Sequence, residues 1–174
     1  MSYRDTMNFK GSRATQLLRD QHYTTVGVTE DFLDNKIDIT EFLKHIDYTI
    51  KVHFSLEDVI LIPAFSPFLR KYMEFEEPIR IISGEHVSVK GIFNGINKPR
   101  IYEGEQDITL TQEEIIGKGG QIAKIMLQHV YKEENGLFSL VEQYLPDPEK
   151  DRVAEQLTVK FTKLNSEYKN MPQK

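Results

Sequence analysis

The sequence predicts an all-α protein, an up-down antiparallel four-helix bundle with an additional C-terminal helix. Three observations carry that expectation. Apolar residues recur at steps of three and four through four long stretches, the spacing of a helix with one buried face. No run alternates apolar and polar residues as a half-buried strand would. The segments between the stretches hold helix caps and breakers. At 174 residues the chain is long enough for one domain with a full core. The expected organisation is an N-terminal tail over 1–13, a bundle domain over 14–170 and a C-terminal tail over 171–174.

The first helix follows Gly11–Ser12 and shows Leu18, His22, Thr25, Thr29, Phe32 and Leu33 on one face. Asp34–Asp38 is a short polar turn. Thr40 is the expected cap of the second helix, whose inner face reads Leu43, Ile46, Ile50, His53, Glu57, Ile60 and Ala64. It should end near Pro63–Pro67, because proline lacks the N–H donor and disfavours helix before it. Phe68–Glu77 is a mixed connection. Pro78 suits the first turn of the third helix, with Glu76 and Glu77 at its positive end. That helix turns Ile79, Ile82, His86, Val89, Phe93 and Ile96 inward.

Asn97–Thr111 reads as a long loop. Thr111 and Glu114 form a capping-box pattern for the fourth helix, which Gly117, Gly119 and Gly120 should kink or delay. Within it, Gln121–Leu140 places Ile122, Ile125, Met126, His129, Glu133, Leu137 and Leu140 on one face. Asp147–Pro148 signals the start of the last helix, expected from Glu149 to about Tyr168.

Four histidines, His22, His53, His86 and His129, fall one to each long helix, always on the apolar face. Their spacings of 31, 33 and 43 residues match one helix plus one connection. In an antiparallel bundle they lie at one level and converge. His53 is followed at i+4 by Glu57, and His129 by Glu133, each pair sharing a face. A buried imidazole beside a buried carboxylate is costly without a partner, and a metal ion supplies one. A core histidine hydrogen-bonded to an acid is the alternative for any single pair, but it does not explain one histidine per helix. The fifth histidine, His45, reads as surface or rim.

The chain has no cysteine, which excludes disulfides, thiolate zinc sites, iron–sulfur clusters and cysteine nucleophiles. A net charge of −5 speaks against nucleic acid. No run reaches the length of a membrane helix, and MSYRDTMNFK lacks the apolar segment of a secretory signal. A cytoplasmic location is expected. Four imidazoles and two carboxylates suit iron or manganese, and less specifically zinc.

The segments LLRDQH (Leu17–His22), HFSLEDVILIP (His53–Pro63), EEPIRIISGEH (Glu76–His86) and HVYKEENGLF (His129–Phe138) resemble the hemerythrin-like (HHE cation-binding) family over about residues 14–145. The resemblance implies a four-helix bundle around a non-haem di-iron centre, bridged by two carboxylates and an oxo or hydroxo group. The implied metal ligands are His22, His53, Glu57, His86, His129 and Glu133. Where oxygen carriers of the family have a second histidine on helix three, this chain has Lys90. Their last carboxylate stands at i+5 from the fourth histidine, which would select Glu134. Glu133 is preferred here because it stays in phase with Leu137 and Leu140 and matches the His53–Glu57 pair.

The function expected from these residues and this likeness is binding, sensing or reduction of a small oxidant such as O2, NO or peroxide. The alternative is an iron-sensing or iron-storage module without turnover. Thr25, Thr49 and Glu85 are near enough in sequence to be candidate outer partners of the imidazoles, though each reads more readily as a packing or surface residue. Tyr23, Phe54 and Tyr131 flank ligands and are expected to pack between helices.

Overall fold

The computed structural model describes residues 2–69, 76–97 and 110–172, which form six helices and no strand. A short α1 (Tyr3–Thr6) precedes α2 (Arg13–Leu33). A helix over 39–69, α3, is followed by α4 (Glu76–Asn97), a helix over 112–144, α5, and α6 (Asp147–Lys169). Helices α2 to α5 make the bundle, and α6 packs against α2 and α3. Most of the connections expected at Phe68–Glu77 and Asn97–Thr111 lie outside the described residues. No helix among those described is long and apolar enough to cross a membrane.

Local chemistry explains the boundaries. The turn after α2 closes with Asn35 at φ 57°, the left-handed region that asparagine tolerates. Asp38, rather than the expected Thr40, caps α3: its carboxylate accepts from the Glu41 N–H at 2.8 Å, a stronger acceptor at the positive helix end. The capping box of α5 is complete, with Glu114 N–H donating to Thr111 Oγ1 (3.2 Å) and Thr111 N–H to Glu114 Oε2 (2.7 Å). The last helix begins two residues earlier than expected, with Asp147 and Pro148 inside its first turn.

Helix α3 does not break at its prolines: it runs through Pro63 and Pro67 to Leu69, two residues past the expected end near Pro63–Pro67. Pro63 follows a π-helical turn at Glu57–Leu61, where the Ile62 N–H already reaches back five residues to Glu57, so the proline falls where the regular ladder is interrupted. Nor do the glycines of α5 break it. Gly119 is instead a point of close approach, where a Cβ would run into Ile39 Cδ1 and the Phe32 ring.

The core lies in two apolar layers. One gathers Leu18, Leu56, Ile82, Leu137, Phe138 and Val141 with Leu157 of α6. The other gathers Phe32, Phe42, Ile46, Phe54, Val89, Ile122 and Met126. On each bundle helix the conspicuous histidine falls between residues of the two layers. Segment 2–12, read from sequence as a tail, lies against the bundle: Met7 and Phe9 pack on Val26, Leu127 and Val130, and Ser2 Oγ donates to Glu30 at 2.6 Å.

Phe42 is fully buried and stacks on Phe32 at 4.3 Å between centroids. Phe42→Ala should cost about 3–5 kcal/mol in chemical denaturation; a loss below about 1 kcal/mol would mean that this layer is not packed as described.

Candidate metal centre

Each bundle helix delivers its histidine to one level. His22 comes from α2, His53 and Glu57 from α3, His86 from α4, and His129 and Glu133 from α5. All six are at most 2% exposed. The Nε2 atoms of His22 and His53 are 3.0 Å apart, and those atoms lie 2.9 Å from Glu133 Oε2 and 3.3 Å from Glu57 Oε1 respectively. His86 Nε2 is 3.2 Å from Glu57 Oε2, and His129 Nε2 is 3.3 Å from Glu133 Oε2. Two sets of donors result, His22–His53–Glu57–Glu133 and Glu57–His86–His129–Glu133, with the carboxylates common to both.

The donor chemistry fits metal ions. Both oxygens of Glu57, both oxygens of Glu133, and Nε2 of His86 and His129 are buried without a hydrogen-bond partner among the described residues. Such orphaned groups are strongly unfavourable unless a cation satisfies them. Two donors each about 2.1 Å from an ion and at right angles are about 3.0 Å apart, close to the separations here.

Behind each imidazole stands an acceptor for Nδ1. His22 Nδ1 faces Glu134 Oε1 (2.6 Å), His53 Nδ1 faces Gln21 Oε1 (2.7 Å), His86 Nδ1 faces Asp58 Oδ1 (2.7 Å) and His129 Nδ1 faces Glu85 Oε2 (3.2 Å). These partners hold the hydrogen on Nδ1 and leave Nε2 as the inward lone pair. Cations anchor the carboxylates in turn: Arg19 pairs with Glu134, Lys132 with Glu85, and Lys90 Nζ lies 2.8 Å from Asp58 Oδ2. Phe138 stacks on His22 and Phe54 on His86, at 5.2 and 3.9 Å between centroids.

Of the three candidate outer partners, Glu85 stands in that role while Thr25 and Thr49 serve His45 instead. Thr25 Oγ1 is 3.1 Å from His45 Nε2, and Thr49 Oγ1 donates to the His45 carbonyl at 3.0 Å. His45 is half-buried in a cleft of about 370 Å³ that Gln21, Tyr48, His53 and Phe161 also line, and burial pushes its ring down to about 4. Sequence reading did not find Gln21 or Asp58, and weighed Glu134 only as an alternative ligand. All three sit next to a candidate ligand in sequence, on the flank that meets a neighbouring helix, and that adjacency was the available signal. Lys90 points to Asp58. Phe54 packs between helices as expected, whereas Tyr23 and Tyr131 are about half exposed.

Charges in the site are strongly displaced. Burial opposes protonation of His22 and His86, but Glu133 with Glu134, and Asp58 with Glu57, outweigh it and push each ring up to about 9. Burial and the neighbouring histidines push His53 down to about 3. Burial would raise Glu57, yet His53 and His86 hold it below the usual range; burial and the Glu57 charge raise Glu133. In the metal-free chain, protons therefore occupy part of the space between the donors.

A helical bundle with clusters of buried histidine and glutamate in its core suggests a metal-binding protein. The family model of the hemerythrin HHE cation binding domain matches residues 13–141, and the chain belongs to that family. No curated protein and no solved structure matches it.

The raised histidines fix a sign for the metal-free chain. His22 and His86 hold protons in the folded state that the unfolded chain releases above its ordinary value of 6.5. Their stabilisation is complete below pH 6.5 and is lost as pH rises through about 9. The melting temperature of the metal-free chain should fall across that window, measured by circular dichroism; a rise would contradict these protonation states.

Proposed function

We propose that this chain is a non-haem di-iron protein that binds, senses or reduces a small oxidant such as O2, NO or peroxide. The observation that carries the reading is the set of inward donor atoms without hydrogen-bond partners among the described residues, arranged in two groups around shared carboxylates. His22 and His53 would hold one ion, His86 and His129 the other, and Glu57 and Glu133 would bridge them. Imidazole and carboxylate donors without thiolate suit iron; manganese and zinc are the competitors.

The bound pair would supply redox and Lewis-acid chemistry. The chain supplies the rest. Its Nδ1 acceptors orient four imidazoles, the two apolar layers flank them, and Phe54 and Phe138 restrict ring rotation. Two histidines and two shared carboxylates per ion would leave coordination positions for a small ligand, and Lys90 is engaged by Asp58. An iron-sensing or storage role without turnover would use the same residues and differs in whether the reduced protein consumes peroxide or NO catalytically.

Metal analysis of the purified protein, with its aerobic visible spectrum, tests the reading. Two irons per chain with a near-ultraviolet charge-transfer band are expected. One equivalent of zinc alone would overturn the redox role, manganese alone would overturn the assignment to iron, and no metal would overturn the site. Because six polar donors in an empty core are destabilising, chelation should lower the melting temperature by roughly 10 °C or more. Glu133→Ala should reduce the metal content to one ion or none. Unchanged metal content in that variant would remove Glu133 from the ligand set.

A further inference from the structure

The outer partners of the site follow an internal two-fold pattern that one residue breaks. Gln21 precedes His22 and reaches the Nδ1 of His53 on the next helix; Glu85 precedes His86 and reaches the Nδ1 of His129 on the next helix. Asp58 follows Glu57 and reaches His86, while Glu134 follows Glu133 and reaches His22. The corresponding positions carry carboxylates at Asp58 and Glu134, but glutamate at 85 and glutamine at 21. Three imidazoles are therefore backed by an anion and one, His53, by a neutral amide.

Acceptor charge affects metal affinity through the ring. A carboxylate behind Nδ1 raises the basicity of Nε2 more than an amide does, because a hydrogen bond to an ionised acceptor is the stronger one. The Glu85 contact is longer than that of Gln21, 3.2 against 2.7 Å, but it brings a full negative charge. The cations add to the contrast. Lys90 and Lys132, beside the His86–His129 pair, are 36% and 41% exposed, so water screens them. Arg19, beside His22, is 5% exposed and cancels the charge of Glu134 inside the protein. The His22–His53 position thus has one neutralised carboxylate and one amide behind it, whereas the other has two carboxylates with screened counter-charges.

Resting on the di-metal reading above, we infer that the two positions are unequal and that Gln21 sets the difference: a divalent cation fills the His86–His129 position first and the His22–His53 position second. Gln21 is a positioning residue that acts through His53. Its amide nitrogen is buried without a hydrogen-bond partner among the described residues, so no other contact of that group explains its place. The side chain lines the cleft beside His53, which leaves room for the isosteric glutamate.

Titrating the metal-free chain with Zn2+, followed by calorimetry and by NMR of the histidine rings, tests the inference. The first equivalent should move the rings of His86 and His129 and the second those of His22 and His53, with dissociation constants about 10- to 100-fold apart. Gln21→Glu should strengthen the second step and close the gap. Glu85→Gln should weaken the first step and close it from the other side, a reciprocal result that general loss of structure would not give. First occupancy at His22–His53, simultaneous filling, or a gap unchanged in Gln21→Glu would overturn it. A chain that takes up two Zn2+ without such a difference refutes the inequality alone, whereas a chain that takes up none refutes the metal reading with it.

Discussion

The rest of this structure depends on one confrontation: four imidazole Nε2 atoms and two carboxylates meet in a buried core with no protein donor among the described residues to join them. Each histidine hydrogen is directed outward by an acceptor behind the ring, so the inward atoms are all bases. Such an arrangement is costly for a folded chain on its own. Either protons or metal ions must stand between the donors, and the pKa displacements show protons beginning to do so at His22 and His86.

The bundle pays this cost by surrounding the polar level with apolar layers on both sides along the helix axes. Leu18, Leu56, Ile82 and Phe138 lie on one side, and Phe32, Phe42, Val89 and Met126 on the other. Local winding serves the same level. Helix α3 carries π-helical turns at Thr49–His53 and Glu57–Leu61, and α5 carries one at Glu133–Leu137. Each begins or ends at a donor residue, a frequent association of wide turns with functional sites. In α5 the consecutive Glu133 and Glu134 are both buried, one facing inward and the other behind His22.

Much of this was legible in the sequence. One histidine per amphipathic stretch, with Glu57 and Glu133 a turn beyond two of them, gave the level and the faces, because helical periodicity is a local property. The cap at Thr111 and the first helical turn around Pro78 were legible for the same reason. The continuation of α3 past Pro63 was not, since the π-helical turn that accommodates it is not encoded by any one residue type. The acceptors behind the imidazoles were hidden for a different reason. Gln21, Asp58 and Glu134 are ordinary polar residues until the neighbouring helix is placed against them, and Thr25 and Thr49, equally near in sequence, turn to His45 instead.

Anomalous diffraction at the iron edge from crystals of the iron-loaded chain addresses the central claim most directly. Two peaks bridged by Glu57 and Glu133, one within bonding distance of His22 and His53 and the other of His86 and His129, are the result expected. A single peak, peaks held by Glu134 in place of Glu133, or iron bound only at the surface would contradict it.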